Sequence, residues 1–174
     1  MNNNIILIGF MGVGKGSVAR EIVKQSGMIA IDTDDVIESM QNCKIKEIFA
    51  EHGENYFRTI EKKVALWLSH SVENTLISTG GGFYKVPNLK DIGTVVLLDS
   101  SFESIYQRIA EHPKAEKKFK KRPLFQEIDK AKALYIQREP QYKALADVIV
   151  DVTKRDVEDI AKEILTAVAK RDRV

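Results

Sequence analysis

Lys15 closes a glycine-punctuated stretch, Gly9-Phe10-Met11-Gly12-Val13-Gly14-Lys15, that runs directly out of four apolar residues, Ile5 to Ile8. The spacing G-x4-G-K is that of a phosphate-binding P-loop. Glycines there let successive backbone N–H groups turn inward, forming an anion-binding nest at the positive end of a helix. The lysine then places a point charge between the outer phosphates of a nucleotide. Gly12, Val13, Gly14, Lys15, Gly16 and Ser17 are therefore the candidate nucleotide-binding residues. One position departs from the pattern. Gly16 stands where serine or threonine normally offers a hydroxyl to Mg²⁺. Ser17 follows, but one step along a helix rotates a side chain by about 100°. Ser17 is thus expected to serve a phosphate oxygen, and water to fill the vacant metal position.

Charged residues elsewhere suggest what the phosphate meets. Asp32-Thr33-Asp34-Asp35 follows the short apolar run Met28 to Ile31, placing carboxylates at the end of a strand, where parallel sheets bind ligands. Capping the next helix is the competing use of such residues. Arg58 and Glu61 lie three apart on a helical pattern and can pair. Gly80-Gly81-Gly82 directly follows the apolar run Leu76 to Thr79, so the backbone there must come close to something. His112 to Leu124 holds five lysines and Arg122 between flanking prolines. Alone it would be a solvated loop; beside a nucleotide site it reads as a lid that brings a cation over the phosphates.

The elements that must position these residues alternate between apolar strands and amphipathic helices, the pattern of a parallel sheet covered on both faces. Strands are expected at Ile5–Ile8, Met28–Ile31, Leu76–Thr79, Thr94–Leu98 and Val148–Val150. Helices are expected from Ser17 to Gln25, Val36 to Gln41, Ile45 to Ala50, Glu54 to His70 and Phe102 to Glu111. A long helix from Gln126 should bend or end near Pro140, and Val157 to Ala169 closes the chain. Gly53 breaks the third helical segment from the fourth. Ile60, Val64, Trp67 and Leu68 form the apolar stripe of the latter. Phe49 and Phe57 read as core residues.

At 174 residues the chain is long enough for one domain with a full core, spanning 1–174. Its 27 basic and 25 acidic residues leave a net charge of +2, which offers no general attraction for nucleic acid or membrane. A single cysteine, Cys43, excludes an internal disulfide and a cysteine-built metal site. No apolar run approaches the roughly 20 residues of a membrane span. The N-terminus lacks the features of a secretory signal, so the cytoplasm is the expected location.

P-loop, acidic strand end and basic lid together point to phosphoryl transfer, which needs positioning, charge neutralisation and exclusion of water. The ordered set GFMGVGKGS, DTD at Asp32–Asp34, IFAEHGENYFRTIE, STGGG, KKRPL and RE-P-Y resembles shikimate kinase over about residues 5 to 153. That resemblance implies a three-layer α/β/α P-loop kinase fold with a five-stranded parallel sheet in order 2-3-1-4-5. It implies an acceptor-binding region at about 34–62, a mobile lid at about 112–124, and a monomer. The implied reaction moves the γ-phosphate of ATP to the 3-hydroxyl of shikimate with Mg²⁺, in aromatic amino-acid biosynthesis. Asp34 matches the residue that binds the acceptor hydroxyls and acts as base or orienter. Arg58 and Arg138 match the guanidiniums that hold the acceptor carboxylate, with Glu61 locking Arg58. Gly80, Gly81 and Gly82 match the backbone wall of the acceptor pocket, and Phe49 and Phe57 its apolar side. Lys15 and Arg122 match the cations on the phosphates, and Asp32 the carboxylate that reaches Mg²⁺ through water. Arg108 and the loop Thr153 to Arg155 fall where the family sandwiches adenine.

Two stretches suggest other readings. Val95 to Asp99 looks like a Walker B strand, which would make Asp99 the metal carboxylate. Thr153-Lys154-Arg155-Asp156 mimics a guanine-reading motif and raises a GTP-binding switch, although the chain contains no D-x-x-G to sense a γ-phosphate. A P-loop kinase of another small hydroxy acid is the third reading.

Overall fold

Short apolar runs separated by helices leave the chain one economical way to bury both faces of each strand, and that is the arrangement in the computed structural model, which describes residues 3–120 and 123–171. Five strands form a single parallel sheet in the order β2-β3-β1-β4-β5: β1 is Ile5–Ile8, β2 Ile29–Asp32, β3 Thr75–Ser78, β4 Thr94–Asp99 and β5 Val148–Asp151. β1 lies at the centre. It pairs with β3 from Ile5↔Leu76 and with β4 from Ile5↔Thr94. All four of its residues are buried, as are Leu76, Ile77, Val95, Val96 and Leu97 beside it. β2 is an edge strand with Ile29 in solvent.

Among the described residues the α-helices are α1 Lys15–Ser26, α2 Thr33–Gln41, α3 Ile45–Ser71, α4 Leu89–Ile92, α5 Phe102–Ala110, α6 Ala115–Lys120, α7 Ile128–Leu145 and α8 Val157–Arg171. Most sequence expectations differ from these by a residue or two at the ends. α1 stops at Gly27, whose φ of 70° supplies the left-handed C-cap and whose N–H donates to Val23. α3 is two helices meeting at Gly53 (φ 77°, ψ 176°), the break expected from the sequence.

Four details differ. Trp67 is not part of the buried α3 stripe: Phe57, Ile60, Glu61, Val64, Ala65 and Leu68 face inward, and Trp67, at the edge of that stripe, is 45% exposed. α7 passes through Pro140 and continues to Leu145. Proline removes only the hydrogen bond to the carbonyl of Ile136, and that turn lies on the exposed side of the helix. The lysine-rich segment contains α6, whose Phe119 packs against Tyr106 at 5.5 Å and Phe125 at 6.3 Å. A short 3-10 turn at Phe83–Lys85 and α4 fill what the sequence left as loop.

Candidate active site

The carboxyl ends of β1, β2 and β3 come together, and each carries one of the motifs that stood apart in the sequence. From β1 the chain enters the glycine loop. Gly14 is the N-cap of α1 with φ 112°, a backbone conformation that only glycine adopts without strain. A Cβ at that position would also lie 2.7 Å from Arg108 Nη1. Arg108, from α5, lies over the loop and donates from Nη2 to the carbonyl of Gly12. Lys15 Nζ donates to the carbonyl of Gly9 at 2.6 Å and to that of Phe10 at 3.3 Å. The lysine is thus held against the backbone at the start of the loop.

From β2 the chain enters α2 through Asp32, which caps it. Oδ1 of Asp32 accepts from the Asp34 N–H at 2.9 Å, and Oδ2 accepts from Ser78 Oγ at 2.8 Å. Of the two uses weighed from the sequence, the capping one is observed. Asp34 stands two residues further on, half-buried. Burial pushes its carboxyl up to about 7, the charge of Asp32 pushes the same way, and Lys15 opposes both. A carboxyl poised there can accept a proton at neutral pH.

From β3 the chain enters Gly80-Gly81-Gly82, and here the site closes. Each glycine is approached by a different charged side chain. A Cβ on Gly80 would collide with Asp34 Oδ1, and one on Gly82 with Arg58 Nη1. A Cβ on Gly81 would lie 3.3 Å from Arg138 Nη1. The carbonyl of Gly81 accepts from Arg138 Nη1 at 3.0 Å and from Tyr142 Oη at 2.6 Å. Arg138 Nε is buried with no hydrogen-bond partner in this structure.

Arg58 is fixed from both sides. Its Nη1 donates to Glu61 Oε2 at 2.6 Å, while Nε and Nη2 donate to Glu54 Oε1 at 3.1 and 2.8 Å. Glu61 is 2% exposed; burial pushes its carboxyl up, although pairing with Arg58 pulls it down. The guanidinium also lies 5.5 Å from the ring centre of Phe57. Phe57 is buried and packs on Phe49 at 4.7 Å; Phe49 is 37% exposed. Of the two phenylalanines expected in the core, only Phe57 is there.

A cleft of about 230 Å³ lies between α5 and the end of β5, lined by Ser100, Ser104, Gln107, Arg108, Glu111, Val152, Thr153 and Lys154. Arg108 is among its lining residues, with Thr153 and Lys154. Arg155 is not: its guanidinium turns to Glu163 at 2.6 Å and to the Asp151 carbonyl at 2.8 Å. Asp99 stands at the end of β4, paired with Lys143 at 3.4 Å. Arg122 lies outside the described residues.

Sequence reasoning missed Tyr142, Thr33 and Glu54. Thr33 accepts the Gly80 N–H on Oγ1 at 3.1 Å. Tyr142 is the tyrosine of the RE-P-Y stretch and Glu54 is the second residue of GENYFRTIE, so both lie inside motifs of the sequence. Their partners, Gly81 and Arg58, were not deducible from spacing.

The central parallel strand, its glycine loop with Lys15, and two arginines gathered at the neighbouring glycine turn define a P-loop phosphotransferase. The shikimate kinase family profile matches residues 11–169. A shikimate kinase of Helicobacter hepaticus is 41% identical over 167 residues, covering 96% of both chains. The chain belongs to the shikimate kinase family. A shikimate kinase structure from Acinetobacter baumannii, solved in complex with shikimate, superposes with TM-score 0.82 at 30% identity, covering 97% of this chain and 93% of that one. The Aquifex aeolicus shikimate kinase superposes with TM-score 0.77 at 32% identity, covering 97% and 98%.

Proposed function

We propose that this protein phosphorylates the 3-hydroxyl of shikimate from ATP, with the roles of its residues set by their places around the three glycines. As a member of the shikimate kinase family it is an ATP-dependent kinase acting on a shikimate hydroxyl. The observation that carries the residue assignment is the convergence of Asp34, Arg138 and Arg58 on Gly80, Gly81 and Gly82. It places one proton acceptor and two guanidiniums around a patch of bare backbone, close to the phosphate loop. A small hydroxy acid fits that chemistry. Arginine forks match a carboxylate through paired hydrogen bonds, where lysine would be a point charge. The orphaned Nε of Arg138 leaves a buried donor to be satisfied by such a ligand.

In this reading Arg58 and Arg138 hold the acceptor carboxylate, and Glu61 and Glu54 keep Arg58 in one orientation. Asp34 orients the acceptor hydroxyl and takes its proton. The loop N–H groups and Lys15 hold the donor phosphates, and Arg108 with the 230 Å³ cleft takes the base. Lys154 replaces Arg155 as the residue contributed by the loop after β5.

The site residues fit a divalent cation held by nucleotide and water, not one ligated directly. Gly16 has no side chain, and both oxygens of Asp32 already accept hydrogen bonds within the protein. Among the described residues no three His, Cys, Asp or Glu side chains could together hold a metal ion. Asp32 would reach Mg²⁺ through water, and the ion would neutralise charge on the outer phosphates when bound.

Release of ADP measured against a panel of small hydroxy acids tests the reading. Turnover stimulated by shikimate well beyond any other acid is the expected result. Tight GTP binding without shikimate-dependent turnover, or preference for another acid, would overturn it.

A further inference from the structure

Beside the position that lacks its metal ligand stands an arginine. Gly16 is the second residue of α1, and Arg20 lies four residues further on, on the same face. Helical side chains lean toward the N-terminus and cover the preceding turn, so a long residue at position 20 is directed over Gly16. A Cβ built on Gly16 would have a single neighbour within 4 Å, Arg20 Nη1 at 3.7 Å. Arg20 Nη2 donates to Ser17 Oγ at 3.3 Å. The guanidinium therefore borders both the bare backbone of Gly16 and the hydroxyl of the next residue, at the end of α1 where the N–H nest opens. A serine or threonine at 16 would point a side chain into the space next to that guanidinium.

We propose that Arg20 is a phosphate-binding residue of the nucleotide site, taking over part of the charge neutralisation that a directly ligated cation performs where a hydroxyl occupies position 16. The inference rests on the kinase reading above and adds to it a residue and a consequence. Guanidinium is permanently charged and presents donors in a planar fork suited to phosphate oxygens. With Arg20 at the phosphates and no protein ligand for the metal, nucleotide affinity depends little on Mg²⁺. Two cations that serve the same oxygens also weaken each other's contribution, so removal of Arg20 makes binding more dependent on Mg²⁺.

Calorimetric titration of ADP into the intact protein, in EDTA and at saturating Mg²⁺, tests this. Arg20→Ala is expected to weaken Mg²⁺-free ADP binding about tenfold, the scale of a lost hydrogen bond to a charged group, and to weaken binding in Mg²⁺ distinctly less. Arg20→Lys should recover part of the loss. Gly16→Ser should increase the gain in affinity that Mg²⁺ brings. Unchanged Mg²⁺-free affinity in Arg20→Ala would overturn the proposal. So would an equal loss with and without Mg²⁺, which marks a merely structural effect on α1. A wild type that turns over shikimate while Arg20→Ala binds ADP normally would refute Arg20 alone. A wild type that binds no ADP would refute the kinase reading and this inference together.

Discussion

Tyr142 Oη donates a 2.6 Å hydrogen bond to the carbonyl of Gly81, the same oxygen that accepts from Arg138 Nη1. One carbonyl thus ties the tyrosine and the arginine of a single helix, α7, to the middle of the three-glycine turn. Burial pushes the Tyr142 hydroxyl up to about 12, so it remains a donor throughout the working pH range. Tyr84 packs edge-on against it at 4.7 Å and bonds Gln141 at 3.1 Å. Tyr142→Phe keeps the ring and removes the donor. The expected loss is about 1 kcal/mol of stability, the net worth of an ordinary hydrogen bond. The KM for shikimate should rise severalfold while that for ATP stays put, because only the acceptor side loses its anchor. Denaturant melts and initial rates check both; an equal rise in the two KM values would place Tyr142 outside acceptor positioning.

Arg138→Lys retains the charge and loses the fork. Lysine's three donors radiate from one nitrogen and cannot form the paired, parallel contact with a carboxylate while also reaching the Gly81 carbonyl, so the KM for shikimate should rise by about tenfold or more. ATP affinity should change little. Parallel titrations of the two substrates are sufficient, and matching losses would identify a structural arginine.

The pair formed by Arg58 and Glu61 makes a different prediction. Glu61 is almost fully buried, so truncating it strands a guanidinium that is only partly exposed. Removing one partner of a buried ion pair costs about 3–5 kcal/mol. The exposed Glu54 on the other edge of Arg58 tempers that, so Glu61→Ala should fall toward the lower end. Glu61→Gln keeps an acceptor for Arg58 Nη1 and should melt closer to wild type, with a raised KM for shikimate. A Glu61→Ala protein as stable as wild type would mean that Arg58 finds another partner.

Asp34 carries the pH dependence. Its carboxyl is raised from the usual 3.8 to about 7 by burial and by Asp32. A base must be deprotonated to work, so kcat/KM should climb as pH rises through about 7 and then level off. Stability runs the other way. The folded protein binds this proton more tightly than the unfolded chain does, so the Asp34 contribution is complete below pH 3.8 and is lost as pH rises to about 7. Asp34→Asn should abolish most turnover and remove this limb from the stability profile. A mutant that keeps its turnover would refute the role of Asp34 in catalysis.

Much of this was legible in the residues themselves. Ile5 to Ile8 must be buried on both faces, and only glycine tolerates the φ of 112° at position 14 that starts α1, so strand, loop and helix follow from local chemistry. Sheet order and reaction were readable because the spaced motifs, from GFMGVGKGS to RE-P-Y, resemble one family along nearly the whole length. Local pattern was weaker evidence at the margins: periodicity put Trp67 in the stripe, and Pro140 argued for a bend or an end where α7 continues to Leu145. Burial depends on which face meets the sheet, and a proline is tolerated where the freed carbonyl faces water.

What the tertiary structure alone decided is which residues meet. Nothing in spacing links Asp34, Arg58 and Arg138 to successive glycines or turns Arg155 away to Glu163. Those relations cross from one sheet-end loop to another or depend on side-chain direction. They exist only once β1, β2 and β3 lie side by side and bring three distant turns within hydrogen-bonding reach.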